Sequence, residues 1–337
     1  MKKRIWLIIA VAALIFSAAA FVFYENSYNM NEKEVVMETA NGTLSGIVTM
    51  PIKEPIKGIV LFVHGDGPQN ATYDGGYRPL MERFAKQGYA SISWDKPGVG
   101  ESEGNWLHQS MDDRATEVEN VIKWAKKEPD FQSKQIILWG ASQAGWVIPK
   151  VMADRTDITA SILVGPAVNW MSQGRYYTLQ TLKEADASNE QIQKTLKKED
   201  EQNKLLIEGA AFHTYQKNTD DQEMTKDRFE FIQKNMKADA TLDIKRIQST
   251  TYLILAQNDR NVDSAETKRI YEKELAPKWL HVQTIEGVEH SMLNPLIHHS
   301  NTLITLTAIA APKDFLLSQA YLDHCEQILE KLKTPSH

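Results

Sequence analysis

The sequence predicts an α/β protein: a mostly parallel, eight-stranded sheet with helices on both faces and a helical segment inserted late in the chain. Three observations carry that expectation. Runs such as GIVLFV at residues 58–63 are apolar at consecutive positions, as in strands buried on both faces. Stretches of ten or more residues with helical spacing separate these runs, which requires right-handed crossovers and therefore parallel pairing. Between residues 169 and 247 the rhythm yields to a charged, strand-poor interval and then resumes.

Taken in order, Lys2, Lys3 and Arg4 precede an apolar run over residues 5–24 interrupted only by Ser17. As a helix this run matches the hydrocarbon thickness of a bilayer. The basic cluster would stay cytoplasmic and the rest would be exported. A cleaved signal peptide is the alternative, with Ala18, Ala19 and Ala20 as the small-residue site. Phe21, Val22 and Phe23 carry the run past those alanines, so a retained anchor is preferred. Residues 1–27 are thus expected as anchor or signal, and 28–33 as a polar tether.

Strands are expected at 34–38 and 43–50, joined by an Asn41-Gly42 turn, then at 58–63. A helix follows over 78–87, stopped by Gly88. Strand 89–94, helix 111–127, strand 135–139, helix 143–154 and strand 159–164 complete the first part of the core, 28–168. The interval 169–247 is too long for a loop and too helical for disorder, and reads as an inserted cap. Its charge runs, 197–201 and 220–223, read as solvated faces and turns. The second part of the core, 248–337, holds strand 251–256, helix 264–275, strand 280–285 and a final helix over 313–333.

Composition narrows the partners. The chain is acidic, with a net charge of −6 and no basic stripe, which disfavours nucleic acid. Its single cysteine, Cys325, permits no intrachain disulfide and reads as a buried structural thiol. His298-His299 lack a spaced partner for a metal, and Gly98-Val99-Gly100 lacks the spacing of a dinucleotide loop.

Gly140-Ala141-Ser142-Gln143-Ala144-Gly145 falls between an expected strand and an expected helix. A serine there is forced into a tight turn that lifts its hydroxyl above the sheet, with the following N–H groups opening at a helix start. Small neighbours are needed because strand and helix approach closely. Gly140 meets that need, but Ala144 stands where the usual pattern has glycine and Gly145 comes one place later. The methyl of Ala144 is therefore an expected source of strain.

A hydroxyl nucleophile needs a base, and the base an orienting carboxylate. Asp259 lies just beyond strand 251–256 and His290 just beyond the last strand. Both sit past strand C-terminal ends, the edge where open α/β sheets place their sites. The chain order Ser142, Asp259, His290 is the one used with strand–turn–helix nucleophiles. The oxyanion hole is assigned to the backbone N–H groups of Asp66, in His64-Gly65-Asp66-Gly67-Pro68, and Gln143. His64 is read as a structural side chain holding that loop.

These motifs resemble the α/β-hydrolase superfamily, in particular bacterial esterase-like members related to serine aminopeptidases and dienelactone hydrolases. The matching pieces are HGDGP (64–68), DKPGVGES (95–102), GASQAG (140–145), Asn258-Asp259-Arg260-Asn261-Val262 and GVEHS (287–291). The resemblance implies a serine hydrolase acting on a small or lipid-like acyl substrate, a carboxylic ester first. A peptidase or thioesterase is the enzymatic alternative, and a non-catalytic tethered binding protein the alternative outside enzymes. It also implies that Asp95 organises a turn after the fourth strand. A dehalogenase would carry Asp where this chain has Ser142. No metal or organic cofactor is required by this chemistry.

Overall fold

The computed structural model describes residues 2–332 apart from 133, 220 and 222. Two of the residues in the second charge run and the end expected for the last helix, 333, therefore lie outside the described residues.

An apolar helix, α1 (Lys2–Glu25), opens the chain, and its segment from Lys3 to Glu25 is long and apolar enough to cross a membrane. The hairpin β1 (Asn31–Thr39) and β2 (Gly42–Met50) turns at Asn41-Gly42, where Gly42 takes φ +115°. Next come β3 (Gly58–Val63), α2 (Arg78–Lys86), β4 (Tyr89–Trp94) and α3 (Met111–Ala125). Ser110 and Asp113 close a reciprocal capping box on α3. Then follow β5 (Gln135–Ala141), α4 (Ile148–Met152) and β6 (Ala160–Val164).

The interval expected to be helical is helical. It comprises α5 (Trp170–Glu184), α6 (Asn189–Ile207), α7 (Phe212–Asn218), α8 (Lys226–Asn235) and α9 (Thr241–Arg246). The chain re-enters the sheet through β7 (Thr250–Ala256), α10 (Ser264–Glu274) and β8 (Leu280–Ile285). It ends with α11 (Asn301–Ala310), α12 (Pro312–Phe315) and α13 (Gln319–Leu332).

The eight strands form one sheet in the order β1-β2-β4-β3-β5-β6-β7-β8, antiparallel at β1/β2 and β2/β4 and parallel elsewhere. In β3 the pleat sends Ile59, Leu61 and Val63 into a core beneath α3, α4, α9 and α10. Val60 and Phe62 enter a second core beneath α2 and α13. A strand serving two cores must be apolar throughout, which is why GIVLFV does not alternate. Registers Ala141↔Val164, Val164↔Ile254 and Ala256↔Ile285 align the C-terminal ends of β5 through β8.

Four local expectations are corrected. The tether is not free: Asn31 already starts β1, Met30 is buried, and Asn29 N–H donates to Glu82 Oε1 at 2.7 Å. The helix expected from 143 is a 3-10 turn over Ser142–Trp146 followed by α4, with Pro149 in its first turn. The single terminal helix expected over 313–333 is two, α12 and α13, separated by residues 316–318. α11 was not foreseen, because its apolar residues define no polar face from which a helical period could be read.

Candidate active site

Backbone geometry sets the position of Ser142, the expected nucleophile. Ala141 ends β5 in extended conformation and Ser142 switches to φ +54°, a left-handed value that non-glycine residues rarely adopt. Close approach explains the small residues around it. A Cβ on Gly140 would stand 2.6 Å from both Ala144 Cβ and Ile148 Cδ1. A Cβ on Gly145 would stand 2.7 Å from Ala167 N and closer still to Ala167 O. The methyl of Ala144 is fully buried against the face that Gly140 leaves open. The glycine that must meet backbone is Gly145, so the shift of this residue by one place carries no penalty at Ala144.

Asp259 and His290 lie on adjoining loops after β7 and β8. Asp259 Oδ2 accepts from His290 Nδ1 at 2.8 Å, while its Oδ1 accepts from Asn261 N–H at 2.9 Å and Val262 N–H at 2.8 Å. The carboxylate is fully buried and the imidazole is 16% exposed. Three contacts converge on this one carboxylate, which orients the imidazole ring. The two loops are stitched together by Asn258 N–H to Val288 O and Gly287 N–H to Gln257 Oε1. Gly165, at the end of β6 with φ +48°, faces the pair: an added Cβ would stand 3.2 Å from Asp259 Oδ2 and 3.3 Å from His290 Nδ1. Ala167 N–H then donates to Ser142 O at 3.1 Å, so the 165–167 turn touches the pair on one side and the serine on the other. Among the described residues no hydrogen bond joins Ser142 Oγ to the imidazole; such bonds are often long or poorly aligned before a substrate binds.

On the other flank, the loop after β3 abuts the serine, with a Cβ at Gly65 falling 3.5 Å from Ser142 Cβ. Its carbonyls are claimed one after another. Arg114 takes His64 O at 2.6 Å, Lys96 takes Gly65 O at 2.8 Å and Gly67 O at 3.0 Å, and Gln69 takes Asp66 O at 2.8 Å. Holding the carbonyls fixes where the N–H groups between them point. Neither Asp66 N–H nor Gln143 N–H donates in any turn, cap or side-chain hydrogen bond among the described residues.

The side chains of these two residues are also joined: Gln143 Nε2 donates to Asp66 Oδ1 at 3.0 Å, and Gln143 Oε1 accepts from Arg114 at 2.5 Å. From α8, Arg228 grips both oxygens of Asp66 at 2.8 and 3.1 Å. Burial alone would raise the Asp66 carboxyl, but the hydrogen bonds and charge of Arg228, with Lys96 behind, hold it below the usual range. Burial lowers Lys96 well below an ordinary ammonium, and the neighbouring Arg114 pushes it the same way.

Lys96, Arg114 and Arg228 were not foreseen as site residues. A signal existed for Arg114, which falls on the same face of α3 as Met111, Ala115 and Val118.

His64 is fully buried with Nε2 donating to Trp94 O at 2.5 Å, and burial lowers its pKa to about 3. It holds the loop as a neutral ring. Asp95 accepts from Ser45 Oγ at 2.6 Å and Ala71 N–H at 2.7 Å, tying the start of the turn after β4 to β2 and to the loop after β3. Cys325 is fully buried.

The inserted helices reach the same edge. Tyr176 OH on α5 donates to Asp259 O at 2.8 Å, and Arg260 lies between Glu184 of α5 at 2.6 Å and Glu289 at 3.2 Å.

Comparison with known proteins agrees with this architecture. The esterase Pf2001 of Pyrococcus furiosus superposes with a TM-score of 0.56 at 16% identity, covering 90% of each chain. Est1E of Butyrivibrio proteoclasticus, solved with ferulic acid, gives 0.55 at 14% identity over 89% of this chain and 97% of that one. An acylaminoacyl peptidase of Pyrococcus horikoshii gives 0.53 at 12% identity over 93% of this chain but 42% of its own. At such identities these likenesses establish the fold. No curated protein matches the chain by sequence. Residues 54–296 match the family model described as serine aminopeptidase, S33, and the chain belongs to that family of α/β hydrolases.

Proposed function

We propose that the protein is a serine hydrolase that cleaves a carboxylic ester of a small or lipid-like acyl substrate through an acyl-enzyme. The observation that carries this reading is the left-handed Ser142 at the end of β5, two strands away from an Asp259–His290 pair whose Nδ1 is already engaged. With Nδ1–H donated to Asp259, Nε2 is the free base. Ser142 Oγ attacks the acyl carbonyl while its proton passes to His290 Nε2. The oxyanion is held by the N–H groups of Asp66 and Gln143. Collapse expels the alcohol, which takes the proton from Nε2 and leaves the acyl group esterified to Ser142. Water then attacks, again losing its proton to Nε2; the bond to Ser142 Oγ breaks, Oγ takes back that proton, and the carboxylic acid departs.

The esterase neighbours support an ester substrate. The family description and the acylaminoacyl peptidase neighbour support amide cleavage as the second reading. Residues 169–247 serve as the cap that selects the acyl group. In this reading α1 is a retained anchor with Lys2, Lys3 and Arg4 on the cytoplasmic side and the catalytic body outside. It is supported by the way the helix end is built into the body: Asp314 N–H donates to Glu25 Oε2 at 3.1 Å, and Lys313 bonds Ser27 O.

Labelling by a fluorophosphonate tests the nucleophile. Wild-type protein is expected to label and Ser142→Ala not to, with short p-nitrophenyl ester hydrolysis falling by many powers of ten. Equal hydrolysis by the two proteins would refute the assignment. A matched panel of ester, aminoacyl amide and thioester substrates then separates the readings.

A further inference from the structure

We propose that α11, with Leu296 and Phe315 at its two ends, is an interfacial membrane-binding element that seats in the outer leaflet beside α1. This rests on the reading of α1 as a retained anchor. Three observations meet here.

The first is chemical. In a chain with 24% charged residues, positions 290–312 contain no Asp, Glu, Lys or Arg, and α11 itself reads NTLITLTAIA. The second is packing. None of its residues is buried, and Leu306 and Ile309 are 56% and 65% exposed, with Leu296 at 77%. An apolar helix left uncovered on a soluble body is a surface awaiting an apolar phase.

The third observation identifies that phase. Asn26 Nδ2, one residue past the end of α1, donates to Ile309 O at 3.1 Å, and the rings of Phe21 and Phe315 approach to 6.3 Å. α11 therefore adjoins the point where α1 leaves its apolar span, and the two exposed apolar surfaces are continuous. If α1 crosses a bilayer, the C-terminal end of α11 is held at that bilayer's outer face. The polar groups at this junction, Glu25, Asn26 and Lys313, mark headgroup depth, with Lys313 over the Tyr24 ring at 4.6 Å and next to Glu82 at 3.6 Å. Lysines and tyrosines at such a level are the usual residents of the membrane–water boundary. A lipid surface thus fits both the composition and the place; a second copy of the chain would fit only the composition.

The consequence concerns the site. α11 begins shortly after the His290 loop, and Asn294 N–H to Leu316 O and Ser318 N–H to Met292 O tie that loop to the residues flanking α12. A body seated on α11 holds its base loop close to the lipid surface rather than swinging freely on α1.

Site-specific fluorescence tests this with the full-length protein in phosphatidylcholine vesicles. An environment-sensitive fluorophore is placed at Leu306→Cys, at Ile9→Cys within α1, or at Asp130→Cys in the exposed turn before β5. Buried Cys325 gives the background of the unsubstituted chain. Lipids carrying a nitroxide on the acyl chain are expected to quench the label at 306 several-fold more than the label at 130, with a blue-shifted emission. No quenching at 306 above that at 130 overturns the proposal. A blue shift at 306 without lipid quenching also overturns it, since it reports protein rather than lipid contact. The label at 9 judges the anchor separately: quenched there and not at 306, the anchor stands and only the inference about α11 falls; unquenched there, the anchor reading itself falls.

Discussion

Replacing Asp259 with asparagine isolates what its carboxylate does for the imidazole. Oδ1 accepts from Asn261 and Val262 N–H, and an amide oxygen in that place keeps both bonds. The other position then becomes an NH2 group facing His290 Nδ1, where Oδ2 now accepts at 2.8 Å. To take that donor, Nδ1 must surrender its proton and Nε2 must carry it. The ring then meets Ser142 as a donor instead of a base. The expected loss is about 10⁴-fold in kcat, on the order of 5 kcal/mol of transition-state stabilisation. Alanine would be a poorer probe, because it strands two buried N–H groups at about 1–3 kcal/mol each and loosens the loop. The assay is steady-state hydrolysis of a short p-nitrophenyl ester together with the rate of fluorophosphonate labelling. Both should fall while the thermal midpoint stays near that of the wild type. An Asp259→Asn protein that folds normally and retains kcat within tenfold would refute the assignment of tautomer control to this pair.

Arg228→Met removes the grip of α8 on Asp66. Both partners are substantially exposed, so stability should change by no more than about 1 kcal/mol. kcat should drop up to about tenfold as the loop after β3 loosens, and an unchanged kcat would deny α8 a positioning role. Gly145→Ala drives a methyl into the backbone of Ala167 and should cost about 2–3 kcal/mol in urea unfolding. Ala144→Gly, by contrast, should stay within about 1 kcal/mol, and the reverse ranking would contradict the packing described. His64 has a folded pKa of about 3, below the usual 6.5, so between those values the unfolded chain binds the extra proton. Its contribution to stability is complete above pH 6.5 and declines as pH falls toward 3, a slope that urea midpoints at pH 7, 5 and 4 will show.

The strands were legible because burial on both faces leaves a local mark: β3 is apolar from end to end, and β4 and β6 set only small serines among buried apolar residues. Ser142, Asp259 and His290 could be proposed from the sequence because each follows an expected strand, Ser142 and Asp259 after the apolar β5 and β7 and His290 after the partly exposed β8, and position relative to a strand end is itself a local property. Lys96, Arg114 and Arg228 escaped for the opposite reason. Their partners, the carbonyls of residues 64–67 and the Asp66 carboxylate, lie 29 to 162 positions away in sequence, and a cation beside acidic neighbours reads as solvated until the fold buries it. α11 escaped because its aliphatic residues and threonines are mixed around the helix and offer little contrast between faces. The three-residue break between Phe315 and Gln319 likewise leaves no strong punctuation beyond Pro312.

The inserted helices hold more of the site than a lid resting on it would. α5 reaches the acid loop twice, through Tyr176 to the Asp259 carbonyl and through Glu184 to Arg260, and Arg260 continues to Glu289 beside the base. α8 reaches the loop after β3 through Arg228, which also lies over the Phe231 ring at 5.1 Å. One insertion therefore touches both flanks of Ser142, the pair that would move the proton and the N–H groups that would hold the oxyanion. A displacement of α5 relative to α8 would alter the two flanks together. On the proposed mechanism, an acyl group that fits between these helices is read out in kcat as well as in KM, because the contacts that receive it also position the reacting groups. Substrates differing only in acyl length should thus separate in kcat in the wild type and converge when Arg228→Met and Tyr176→Phe are combined. Divergence confined to KM in both proteins would mean that the insertion sorts substrates without touching the chemistry.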